Sequence, residues 1–140
     1  MPNYDSLLGG EPISEKEALL ISPIRLAYVG DAVYDLLVRT KLVFSGHKAR
    51  AMHQSAIKVV NASAQAQALA RVMDSLTETE GDVVRRGRNA HAHHHAPKRV
   101  NPAEYAKATG LEALLGFLYL TGRNERLGEL CMAMEQEEEV

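Results

Sequence analysis

Apolar residues recur at three- and four-residue intervals through most of the chain, and the strict alternation expected of strands is nearly absent. Leu26, Val29, Val33, Leu36 and Leu37 form one such stripe, and Leu111, Leu114, Leu115, Leu118 and Tyr119 another, so both segments predict buried core helices. Start signals stand ahead of them: Ser22 before Pro23 and Asn101 before Pro102 each place an N-cap in front of a proline at the first helical position. Ser14 with Glu17 and Thr77 with Glu80 have the spacing of capping boxes. The alanine-rich stretch from Lys48 to Met73 predicts one long helix or two in tandem, with Asn61 and Ser63 marking the break. A short helix is expected from Glu78 to Arg88, its terminal arginines favourable against the helix dipole. The run from Arg88 to Pro102 is the clear loop, Gly122 should stop the helix that begins at Pro102, and Asn124 should cap the last one. The expected architecture is an all-α bundle of about seven helices. It forms one domain over residues 14–134, with a flexible segment 1–13 before it and an acidic tail 135–140 after it.

Composition adds limits. At 140 residues and 46% hydrophobic content the chain is sized for a single core. A lone cysteine, Cys131, excludes an internal disulfide framework and reads as an inert core residue in a reducing compartment. The N-terminus lacks a basic segment followed by an apolar one, and no apolar run approaches the ~18 to 20 residues needed to span a bilayer. The expectation is a soluble, cytoplasmic protein with no membrane partner. The net charge of −2 argues against a general nucleic-acid binder, but its distribution does not. Between Leu36 and Met73 there is no acid, against Arg39, Lys41, Lys48, Arg50, Lys58 and Arg71; between Val83 and Ala103 there is again none, against Arg85, Arg86, Arg88, Lys98 and Arg99. Two basic stretches in a mildly acidic chain suggest a surface facing a polyanion.

Two acids are expensive where they stand. Asp31 lies in LAYVGDAVYDLLV and Glu112 in GLEALLGFLYL, and neither has a cation three or four residues away. A partner must come from another helix, Lys58 or Arg71 for example, or from a bound cation. Gly30, Gly110 and Gly116 nearby suggest that a backbone or a ligand approaches closely, since glycine inside a helix costs about 1 kcal/mol relative to alanine. Two carboxylates on packed helices suit Mg²⁺, with Mn²⁺ as a substitute, and a metal so held serves phosphodiester hydrolysis. Asp35, one turn after Asp31, reads as a solvated group rather than a third ligand.

These segments are recognisable. RLAYVGDAVYDLLV resembles the signature helix of the ribonuclease III catalytic domain, and GLEALLGFLY resembles that family's second acidic box. VVRRGRNA with the basic loop after it, and FLYLTGRNERL, look like the mini form of the family, a catalytic domain without a separate double-stranded RNA-binding domain. The resemblance covers about residues 15 to 130. It implies that Asp31 and Glu112 are indispensable Mg²⁺ ligands and that water attacks the phosphate to leave a 5′ phosphate and a 3′ hydroxyl. It implies also a homodimer whose two sites each cut one strand of an RNA duplex, precursor large-subunit ribosomal RNA being the expected substrate. Tyr28 matches an aromatic residue that packs across the dimer interface; its alternative is ordinary core. Longer members carry further acids where this chain has Ile24, Ala27 and Thr109, so the carboxylate set is reduced here.

Without an accessory domain, the catalytic domain itself must hold the duplex through phosphates and 2′-hydroxyls. Arg85, Arg86, Arg88, Lys98 and Arg99 lead the candidates for RNA contact, Lys48 and Arg50 follow, and Asn89 adds a sugar contact. His91, His93, His94 and His95 lack acid or thiol partners in their loop and read as adventitious metal binders or pH-sensitive phosphate contacts. His53 reads as a helix-surface or packing residue. A histidine-aspartate metal phosphohydrolase is excluded because no histidine is followed by aspartate. The rival is a module of the same fold that grips structured RNA or ribosomal parts without cutting.

Overall fold

A computed structural model describes residues 11–46, 61–90 and 100–135, and all the regular structure among them is helical. Six α-helices follow in order: α1 (Glu15–Leu19), α2 (Pro23–Phe44), α3 (Ala62–Val72), α4 (Glu78–Ala90), α5 (Pro102–Leu120) and α6 (Asn124–Met134). A 3₁₀ turn, Met73–Ser75, extends α3. The all-α architecture is as expected, with one helix fewer among the described residues than the seven anticipated.

The helix starts follow the cap chemistry. Ser22 Oγ accepts from Arg25 N at 3.3 Å, Asn61 Oδ1 from Ala64 N at 2.8 Å, and Asn101 Oδ1 from Ala103 N at 2.9 Å and Glu104 N at 3.2 Å. Asn61 thus starts α3 where a break was expected. Thr77 and Glu80 form the reciprocal capping box at 2.9 and 3.2 Å. Gly122, at φ +70°, ends α5 in a Schellman arrangement, with Arg123 N bonded to Leu118 O and Gly122 N to Tyr119 O. The last start departs by one position from expectation: Asn124 is already helical, and Arg123 occupies the cap position with no side-chain cap bond.

The core is built around α5, in which every residue from Ala108 to Leu118 is buried except Glu112. A helix apolar on all sides must be enclosed on all sides. Here α2, α3 and α4 pack against it, and α1 and α6 make smaller contacts with it. Two pairs of glycines set how closely the helices approach. A Cβ on Gly30 would lie 1.6 Å from the Glu112 carbonyl oxygen, and one on Gly116 would lie 2.0 Å from the Leu26 carbonyl oxygen. On the far side, Gly87 of α4 meets the Gly110 Cα, where a Cβ would lie at 2.8 Å. The close approach anticipated at Gly30, Gly110 and Gly116 is therefore one of backbone against backbone. The Gly30–Gly116 contact shows α2 and α5 running in opposite directions past each other, with Leu26 beside Gly116 and Gly30 beside Glu112. No helix among the described residues is long and apolar enough to cross a membrane.

Candidate active site

Asp31 follows Gly30 directly, so the contact that presses Gly30 onto the Glu112 backbone also brings the two side chains together. The carboxyl groups lie within hydrogen-bonding reach of each other, Asp31 on the exposed side and Glu112 half-buried. Burial, then the hydrogen bond from the pair and the negative charge of Asp31, push the Glu112 carboxyl up to about 8. At neutral pH the metal-free pair therefore retains a proton, which belongs to the pair rather than to one acid.

No basic side chain neutralises this pair among the described residues: the ion pairs there involve other acids. Arg71, one of the two cations considered as a partner, instead donates to the Met134 carbonyl at 2.9 Å. Lys58, the other, lies outside the described residues. Two acidic oxygens held together without a cation have the donor chemistry of a hard divalent ion, which accepts one or two protein carboxylates and completes its shell with water and phosphate. The pair thus fits a divalent metal. No third His, Cys, Asp or Glu joins it to make a larger set among the described residues. Of the three positions that lack an acid, Ala27 and Thr109 are buried and Ile24 half-buried, and Thr109 turns its hydroxyl back to the Tyr105 carbonyl at 3.0 Å. Asp35 stands apart, paired with Arg39 at 3.0 Å on a half-exposed face.

The other expected residues are scattered. Arg85, Arg88 and Asn89 are exposed on α4, with Arg85 also paired to Asp82 at 3.1 Å. Arg86 is half-buried and donates to the Leu19 carbonyl at 3.2 Å, so its guanidinium caps the end of α1 rather than standing free beside its neighbours. Lys48, Arg50, His53, Lys98, Arg99 and the histidines 91 to 95 lie outside the described residues. Tyr28 is 84% exposed, which removes the ordinary-core alternative. Leu36 and Val43 share its face at helical spacing and are also exposed. Two residues were not singled out from the sequence. Tyr34 is buried one turn beyond Asp31 on α2, and burial pushes its phenol above the ordinary value, with the Arg71 charge opposing and Cys131 and Glu112 adding to the rise. Glu80, recognised only as a capping residue, is also held by Arg126 in a two-pronged ion pair at 2.8 and 2.9 Å.

Residues 24–123 match the model of the Ribonuclease III domain, a span that contains both acids. The chain belongs to the ribonuclease III family of endoribonucleases. Within that family it is 51% identical to the Mini-ribonuclease 3 of Symbiobacterium thermophilum, over 82% of this chain and 88% of that protein. It is 46% identical to the Mini-ribonuclease 3 of a Thermoanaerobacter species, over 84% and 82% of the two chains. For the Mini-ribonuclease 3 of Staphylococcus aureus the identity is 44%, over 79% and 84%. The fold agrees: a crystal structure of a protein from Fusobacterium nucleatum superposes with a TM-score of 0.72 at 25% identity, covering 81% of this chain and 90% of that one. Family membership makes the divalent-metal fit of Asp31 and Glu112 a matter of chemistry as well as geometry, because the family generally uses such an ion.

Proposed function

We propose that the chain is a Mg²⁺-dependent endoribonuclease that hydrolyses double-stranded RNA to 5′-phosphate and 3′-hydroxyl ends, with Asp31 and Glu112 holding the metal. One observation carries this: two carboxyls that must share a proton at neutral pH, pressed together by a glycine contact, with no basic side chain to neutralise them among the described residues. Such an arrangement destabilises the empty protein and is useful only when a cation arrives. A bound Mg²⁺ supplies an activated water and stabilises the leaving oxygen. The protein's share is to present two oxygens at a fixed spacing and to lose the proton that the pair retains. Mn²⁺ suits the same oxygens.

The duplex is gripped from outside the pair. Arg85, Arg88 and Asn89 offer an exposed basic edge on α4, and Lys48, Arg50, Lys98 and Arg99 complete the surface in this reading, with Arg86 supporting from below. The enzyme acts as a homodimer through the outer face of α2, supported by exposed Tyr28, Leu36 and Val43. Two copies set two carboxylate pairs on one duplex, one for each strand. The substrate is precursor large-subunit ribosomal RNA in the cytoplasm, and the folded unit spans residues 14–134, between the segment 1–13 and the acidic tail 135–140.

Incubation with long duplex RNA tests the catalytic reading. Wild type should cut in Mg²⁺ and not in EDTA, whereas Asp31→Asn and Glu112→Gln should bind the duplex and leave it whole. Wild-type protein that retards duplex RNA on a gel yet never cuts it would defeat the proposal in favour of a binding module. The dimer has its own test: Tyr28→Asp should shift the sedimenting species from dimer to monomer, and a monomeric wild type would refute that part.

A further inference from the structure

The two helices that carry the acids touch through their backbones, and the contact is reciprocal. A Cβ on Gly30 would meet the Glu112 carbonyl oxygen at 1.6 Å and the Gly116 nitrogen at 2.9 Å; a Cβ on Gly116 would meet the Leu26 carbonyl oxygen at 2.0 Å and the Gly30 nitrogen at 3.1 Å. An α-helix bonds each N–H to the carbonyl four residues earlier, so Leu26 with Gly30 and Glu112 with Gly116 each span one turn, of α2 and of α5. Each glycine therefore lies flat on the turn that the other closes. Both turns bear an acid: Asp31 follows Gly30, and Glu112 opens the turn that Gly116 closes.

Backbone against backbone is a hard stop, because neither side has a rotamer to change. A single methyl on Gly116 would drive the Leu26 carbonyl, and α2 with it, back by about 1 Å or more. On its other face α5 has no slack to absorb that displacement, since Gly87 of α4 already sits against the Gly110 Cα. The displacement therefore falls on α2 and carries Asp31 away from Glu112. Asp31 has only two side-chain torsions and Glu112 is half-buried, so rotamer changes do not close the gap. A hard divalent ion such as Mg²⁺ holds its oxygens at about 2.0–2.1 Å in near-octahedral geometry and tolerates little spread.

We infer that Gly116, which offers no donor to a metal, is a positioning residue for the Asp31–Glu112 pair: by admitting the Leu26 carbonyl it sets the helix separation at which one divalent ion reaches both carboxyls. The inference rests on the reading that these two acids hold the metal. The crossing of Gly87 with Gly110 has the same backbone chemistry but joins α5 to α4, which bears neither acid, and so supplies the comparison. Groups that orient a ligand typically contribute about 10- to 100-fold in metal affinity.

Every variant is made in a Gly81→Ala, Gly128→Ala background of the full chain, which keeps the tests on folded protein. At both positions a Cβ meets nothing within 4 Å and φ is not positive, so the alanines raise the melting temperature; sucrose raises it further. Mn²⁺ titration of the RNA-free protein by calorimetry should show Gly116→Ala weaker by about tenfold. Gly87→Ala and the bulkier Gly87→Val should lower the melting temperature and leave Mn²⁺ affinity as it was. The decisive variant is a rescue. Asp31→Glu, one methylene longer on an exposed position, should weaken Mn²⁺ binding alone yet recover most of the lost affinity when combined with Gly116→Ala, an effect that general loosening does not produce. Unaltered affinity in Gly116→Ala, an equal loss in Gly87→Val, or a double variant no better than Gly116→Ala would overturn the inference. Glu112→Gln keeps the two ideas apart: if it binds Mn²⁺ as the background does, the metal reading fails and this inference with it, whereas if it loses binding while Gly116→Ala keeps it, only the role of Gly116 is refuted.

Discussion

Two buried or half-buried glutamates of this protein have opposite surroundings. Glu80, at the start of α4, has a side chain only 3% exposed, yet it is fully matched: Arg126 grips both oxygens, and Thr77 closes the capping box. The Arg126 hydrogen bonds lead in holding its carboxyl below the usual range, against the opposing cost of burial. Glu112, in the middle of α5, has Asp31 for a neighbour, and its carboxyl is pushed up to about 8. Burial disfavours charge at both sites; the partner decides the direction. The fold therefore uses one glutamate to tie helices together and leaves the other with a deficit that a cation can fill.

The largest test removes the matching partner at the structural site. Arg126→Met should strand the Glu80 charge and cost about 3 to 5 kcal/mol, as breaking a buried pair from one side does. Urea unfolding at pH 7 measures this, and a loss below about 1 kcal/mol would mean that the pair is no tie. The acid side of the same site has a definite sign. Because the folded Glu80 carboxyl lies below its unfolded value, its stabilisation is present above that value and is lost as pH falls through the folded one. Glu80→Gln should flatten the acid limb of stability.

At the Asp31–Glu112 pair the sign reverses. Between its ordinary value and about 8, folded Glu112 holds a proton that the unfolded chain has released, so metal-free stability falls as pH rises across that window. Glu112→Gln does not titrate, and in EDTA it should unfold about 1 to 2 kcal/mol later than wild type at pH 8, with the gap closing by pH 5. A glutamine that destabilises at pH 8 would show that the site carries no deficit. The smallest effect is on binding: Mn²⁺ affinity should rise up to tenfold per pH unit below about 8 and level off above it, with proton release seen as a buffer-dependent binding enthalpy. Affinity independent of pH from 6 to 8 would place the proton elsewhere.

Much of the fold was legible before any coordinates. Cap residues act over three or four positions, so Ser22, Thr77 and Asn101 could be assigned from neighbours alone, and each begins or helps begin a helix, whereas Asn61, read only as a break, proves to be a cap and Asn124, read as a cap, lies one position inside its helix. Asp31 and Glu112 were legible as costly, because their own helices offer no cation. The surface assignments were less so. Arg85, Arg86 and Arg88 look alike as letters, but only the packing of α1 turns Arg86 inward to the Leu19 carbonyl. Tyr28 and Tyr34 occupy similar apolar contexts six positions apart, and the sides of α2 they occupy give one 84% and the other 6% exposure.

By itself, then, the order of residues determined the helices, most of their ends, the family and the two acids that lack local neutralisation. Those properties arise from interactions within a turn or two of chain, or from motifs read in a line. The tertiary structure alone decided which charge meets which. Arg126 reaches Glu80 across 46 positions, and Glu112 meets Asp31 because Gly30 lets two backbones touch. Coulomb energy and desolvation depend on distance in space, and separation along the chain does not report it.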